Sequence, residues 1–242
     1  MAREQLRQIH LGDIAVDVIR KDIMNLHLSV HPPTGRVRIS APLRMDLATI
    51  RVFAIAKLGW IRNHQRKFSE QDREPPRDYI DRESHFVWGR RCLLRVEEAD
   101  AAPSVELKHK TLVMRVRQGT SRTKRQSALE DWYREKLKEA LHPILAKWQP
   151  LVGVRVRKIF VQQMKTKWGS CSPSVGNIRL NTELAKKPPE CLEYIVVHEM
   201  AHLIEPTHNR RFMALMERFM PKWEFHRTEL NRLPVRHEDW DY

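Results

Sequence analysis

The run His198-Glu199-Met200-Ala201-His202-Leu203-Ile204-Glu205-Pro206-Thr207-His208 places three imidazoles at offsets 0, 4 and 10, with a carboxylate directly after the first. Its meaning depends on the chain around it. The preceding Lys187-Pro188-Pro189-Glu190 opens a helix well, because proline is tolerated in a first turn and Glu190 and Glu193 sit where the positive end of the helix dipole favours acid. Leu192, Val196 and Leu203 share one side of this helix and face the core. His198 and His202, at i and i+4, stack one turn apart on another side, with Glu199 about 100° round from His198. Pro206 discourages helix at Glu205, so the element ends there and the chain turns back toward the two rings.

H-E-x-x-H on a helix is two metal ligands plus a general base. Neutral imidazoles suit zinc, and three protein ligands leave a fourth position to water, whose proton the adjacent Glu199 accepts. We therefore expect one zinc per chain, with His198 and His202 as ligands. For the third ligand, His208 needs only the turn already encoded; Glu217 or Glu224 downstream is the alternative. The spacing matches a metzincin signature, yet that pattern wants glycine where this chain has Glu205.

Outward from this helix, Val154 to Val161 and Ile178 to Asn181 read as strands, and they flank Trp168 to Gly176, whose glycines and proline mark turns. Ser127-Ala128-Leu129-Glu130 fits a capping box and starts a helix striped by Leu137, Leu141, Ile144, Leu145 and Trp148, which Pro143 kinks or divides. Toward the N-terminus, Leu26 to Ile39 alternates around Pro32-Pro33-Thr34-Gly35 as a hairpin, and a long helix over about 46–68 begins at the N-cap Asp46. Arg66 to Ser84 reads as an exposed connection. Strand patterns follow at Phe86 to Trp88, Cys92 to Val96, Ser104 to Leu107 and Leu112 to Val116. No repeat is visible in the sequence. The expected class is α+β: a β-rich N-terminal region with one long helix, 1–120, and a C-terminal domain, 121–242, that carries the site helix and a small sheet.

At 242 residues with 41% apolar and 31% charged side chains, the chain has the composition of a folded globular protein. No run approaches the roughly 18 apolar residues of a membrane span, and Met1 to His10 lacks an apolar signal core, so a cytoplasmic protein is expected. Cys92, Cys171 and Cys191 are odd in number and lack close pairing, which fits reduced thiols. The net charge of +14 draws anions, and weak, sequence-independent, salt-sensitive binding to nucleic acid is expected from it.

Met164-Lys165-Thr166-Lys167-Trp168-Gly169-Ser170-Cys171, Leu180-Asn181, the run from Lys186 to Tyr194, and His198-Glu199-Met200-Ala201-His202 with His208 and Arg211-Phe212 resemble the YgjP-like metallopeptidase-domain family, predicted metal-dependent hydrolases related to the SprT-like proteases. The resemblance implies a zincin-type catalytic domain with His198, His202 and His208 as ligands and Glu199 as base. Met200 stands where leucine is commoner and Thr207 where asparagine is frequent; neither is a ligand.

Substrate is left open between a peptide and a nucleotide phosphoanhydride, since an activated water attacks either centre. A third reading, a nucleic-acid module with structural zinc, fits poorly with Glu199, because a structural site needs no base. Lys165, Trp168 and Ser170 are candidate substrate contacts, each with a plain alternative as surface lysine or turn residue. A strand beside the site helix, before Trp168 or at Ile178 to Asn181, would pair with an extended peptide.

Overall fold

The computed structural model describes residues 5–31, 34–70, 74–164 and 167–234. It is a mixed α and β chain with six α-helices and three small mixed sheets among those residues. The described residues form two compact units, 5–70 and 74–234, where the sequence suggests a division at residue 120. Strands expected in the N-terminal region thus belong to the same unit as the three histidines.

The smaller unit contains β1 (Gln5–Leu11), β2 (Ile14–Lys21), β3 (His27–His31) and β4 (Arg36–Pro42) in the order β1-β2-β4-β3, with β2 and β4 parallel. The expected hairpin is present as β3 and β4, with Leu28 opposite Ile39; Pro32 and Pro33 lie outside the described residues. The single long helix is instead two, α1 (Leu47–Ala56) and α2 (Leu58–Glu70), interrupted at Lys57. Lys57 takes non-helical backbone angles just before Gly59, the poorest non-proline helix former, so propagation fails there. Asp46 is the N-cap, its Oδ1 accepting from Thr49 N at 2.7 Å. Val16, Val18, Val37 and Ile39 pack with Ile50, Ala54 and Ile61 in a core of their own.

The larger unit opens with β5 (Ser84–Val87), β6 (Arg90–Glu98), β7 (Ser104–Lys108) and β8 (Thr111–Val116), ordered β5-β6-β8-β7. This is the same topology as the first sheet, central parallel pair included, although the sequence betrays no repeat. The connection before β5 is not wholly exposed: Glu74 and Tyr79 are buried. Helix α3 (Arg122–Val152) begins five residues before the capping box, because Ser121 offers an earlier cap, its hydroxyl accepting from Lys124 N. It runs on through Pro143 without division, burying Leu129, Tyr133, Leu137, Leu141 and Trp148.

Three short strands, β9 (Lys158–Gln162), β10 (Gly169–Ser172) and β11 (Asn177–Asn181), form a sheet ordered β10-β11-β9. The segment read as turn therefore contains a strand, β10, and the turn proper is confined to 173–176. A 3-10 helix, Thr182–Lys186, leads into α4 (Pro189–Ala201), then α5 (Arg210–Phe219) and α6 (Trp223–Arg232) complete the unit. Trp148 Nε1 and Lys147 Nζ each donate to Glu193 Oε1 at 2.7 Å, tying α3 to α4.

The start of α4 is braced by the β5–β6 turn, where Trp88 N donates to Ala185 O at 2.9 Å and Gly89 N to Lys186 O at 3.0 Å. Trp88 and Gly89 both have positive φ, as a tight hairpin of this kind requires, and a Cβ on Gly89 would lie 2.9 Å from Pro188 Cγ. Gly119 has a similar φ with open space around it. Gly89→Ala is therefore expected to cost about 2–3 kcal/mol in urea unfolding, against about 1 kcal/mol of backbone strain for Gly119→Ala. Equal losses would mean that the contact with Pro188 contributes nothing.

Candidate metal centre

Helix α4 is apolar nearly all round, with Cys191, Leu192, Tyr194, Ile195, Val196, Val197, Met200 and Ala201 buried. Such a helix belongs in a core, and its polar residues at the C-terminal end are carried in with it. The helix ends at Ala201 with His202 as its C-cap, earlier than the limit Pro206 imposes, and Leu203 is only partly buried. His202 N still bonds His198 O at 3.2 Å, so the two rings keep their one-turn stacking.

The chain then reverses, fixed by Glu205. Its Oε1 accepts from Thr207 Oγ1 at 2.9 Å and Thr207 N at 3.2 Å, and Asn209 Nδ2 donates to Thr207 Oγ1 at 3.1 Å. Asn209 also caps α5, its Oδ1 accepting from Phe212 N at 3.0 Å. The reversal brings His208 Nε2 to 3.0 Å from His198 Nε2 and 3.2 Å from His202 Nε2. Among the described residues this is the one group of three side chains able to hold a metal ion together. Glu217 and Glu224 are exposed on α5 and α6 and are not part of it.

The donor set fits a cation. His202 Nδ1 faces the Glu205 carbonyl at 3.0 Å, so it must donate, which leaves Nε2 with its lone pair toward the other two rings. Burial first, then the neighbouring imidazoles and Arg227, push His198 down to about 3, and burial lowers His208 as well. Neutral rings with converging lone pairs are what a metal requires and what three unpaired imidazoles would otherwise avoid.

Phe212 is given no role of its own by the sequence motif. It is buried beneath the triad, its ring stacked on His202 at 4.5 Å between centroids and edge-on to His198 and His208 at 4.9 and 4.8 Å. The signal for it was the apolar spacing of Phe212 and Met216 on α5 behind the Asn209 cap.

Glu199 is 4% exposed, and burial raises its carboxyl to about 8 against a weaker opposing pull from Lys167. Its Oε2 has no hydrogen-bond partner among the described residues. Strand β10 passes beside it. Alternation along β10 sends Gly169 and Cys171 toward α4, opposite the buried Leu180 and Ile178, and sends Ser170 to the other face with Arg179. The strand thus does not bring Ser170 to Glu199. Trp168 is half-buried against the core, with Lys187 Nζ 5.8 Å from its ring centre. Lys165 lies outside the described residues. Asn181, unassigned in the sequence reading, pins this segment: its Nδ2 donates to Met164 O and Lys167 O at 2.8 and 2.9 Å.

A family model for the YgjP-like metallopeptidase domain matches residues 25–233. The chain belongs to that family. It is accordingly a metal-dependent hydrolase of the metallopeptidase kind. Two solved structures are similar over part of the YgjP-like chain. The metallopeptidase zymogen of Pyrococcus abyssi abylysin is 22% identical, covering 41% of this chain and 99% of that one at a TM-score of 0.33. The metallopeptidase zymogen of Methanocaldococcus jannaschii jannalysin is 21% identical, covering 39% and 92% at 0.33. No curated protein matches. No helix among the described residues is long and apolar enough to cross a membrane.

A carboxyl raised by burial adds stability that is complete below its ordinary value near 4.5 and is lost as pH climbs toward 8. Glutamine mimics the neutral form. In EDTA, Glu199→Gln is therefore expected to melt with the parent protein near pH 5 and several degrees above it at pH 9, by scanning calorimetry. Parallel melting curves from pH 5 to 9 would show that Glu199 is not held neutral by its surroundings.

Proposed function

We propose that this protein is a zinc peptidase of zincin type in which His198, His202 and His208 hold the ion and Glu199 is the general base. The observation that carries the reading is the convergence of three imidazole Nε2 atoms beside the buried Glu199, whose Oε2 has no hydrogen-bond partner among the described residues. Nitrogen-only ligation by three histidines favours zinc among the common ions, and three protein ligands characterise catalytic rather than structural sites. When bound, zinc supplies Lewis acidity, polarising the scissile carbonyl and acidifying water.

The protein's own groups do the rest. Phe212 walls the imidazoles from below, and the Glu205 carbonyl fixes the His202 tautomer. Glu199 accepts the proton of the attacking water and returns it to the leaving amine. Strand β10 lies at an edge of its sheet, and an extended peptide pairing with that edge would pass Glu199 and the imidazoles. The family match favours a peptide substrate and lends no support to the nucleotide or nucleic-acid readings.

Glu199→Gln is expected to retain one zinc per chain while kcat on a quenched-peptide library falls about 10²- to 10⁴-fold. Full activity with zinc retained would remove Glu199 from the mechanism. In parallel, His208→Ala should weaken zinc binding far more than Glu224→Ala does, as measured by competition with a chelator; the reverse order would assign the third ligand to glutamate.

A further inference from the structure

Gly169 sits where β10 passes beside Glu199. A Cβ built on it would stand 2.6 Å from Glu199 Oε1, 2.9 Å from Cγ and 3.0 Å from Cδ. The carboxylate and the stem that carries it thus occupy the volume that any other side chain at 169 would fill. Glycine inside a strand normally weakens it, and this one has no positive φ to justify it. The requirement is one of space.

Glu199 cannot answer an intruding methyl by swinging its tip, because Cγ is overlapped as well as Oε1, and the side chain is enclosed on all but 4% of its surface. The whole side chain must shift. Gly169 itself is fixed by its pairing with Leu180, which is fully buried, and by the adjoining bond from Asn181 N to Trp168 O at 2.9 Å. The strand is therefore the firmer partner and the glutamate the one that moves.

We propose that Gly169 is a positioning residue: by lacking a side chain it lets β10 close on Glu199 and sets where that carboxylate stands relative to the three histidines. The kinetic consequence rests on Glu199 being the base; the geometric one does not.

The test is Gly169→Ala in the full chain, alone and combined with Glu199→Ala, which removes the overlapped Cγ, Cδ and Oε1 together. The crystal structure of Gly169→Ala is expected to show the Glu199 carboxylate displaced by about 1 Å, and such a displacement costs on the order of 100-fold in kcat on fluorescein-labelled casein. Zinc affinity and KM should change by no more than about twofold, as expected for a group used only in the transition state. The double variant should be no slower than Glu199→Ala alone, because the two changes act through one contact. If Gly169→Ala does not fold, the double variant, free of the overlap, should fold. An unmoved carboxylate with unchanged kcat, multiplicative losses in the double variant, or misfolding of both would overturn the proposal. Should Glu199→Gln stay active, the base assignment falls alone, and the displacement in the crystal still decides whether Gly169 clears room for Glu199.

Discussion

The burial of α4 is the constraint on which the larger unit depends. Nine of its 13 residues are inaccessible, Glu199 among them, so the helix can exist only where other elements enclose it. Helix α3 is tied to it through Glu193, β10 lies beside it, and α5 is capped so that Phe212 closes its C-terminal end. The imidazoles are brought together by that enclosure. His198 and His202 come with the helix, while His208 comes with a reversal whose geometry Glu205, Thr207 and Asn209 dictate.

The same enclosure accounts for the electrostatics. One buried space pushes a carboxyl up to about 8 and an imidazole down to about 3, so both reach neutrality from opposite directions. A dication at the histidines would reverse the first effect, since a nearby positive charge favours the carboxylate. The site is thus poised electrically for an ion in a way that the overall charge of +14 does not convey.

How much of this was legible in the sequence follows from the range of the forces involved. The start of α4, the Asp46 cap and the β3–β4 hairpin rest on contacts within a few residues, and they read correctly. The end of α4 did not, because Pro206 only limits a helix, and the chain turned at His202 first. Ser127 and Glu130 make a good cap, but Ser121 makes an earlier one, and a lone segment cannot say which wins. The turn residues around β10 masked a strand whose inward positions are glycine and cysteine, which give no hydrophobic alternation. The clearance at Gly169 and the ring of Phe212 under the histidines depend on residues about 30 and 10 positions away, respectively, and such partners are set by packing rather than by pattern.

Both four-stranded sheets put a parallel pair at the centre and hairpin strands at the edges. Val16 meets Val37 and Leu93 meets Thr111, so each central ladder closes a loop of only about 20 residues, an inexpensive closure for a parallel pairing. Strand pairing in each unit is accordingly local in sequence, although the apolar face of the second sheet packs into the same core as α4. A ribosome that has released the chain through β8 has already exported every strand of that second sheet. The histidine-bearing helix, emerging some 70 residues later, completes the core that the apolar face of those strands shares with it.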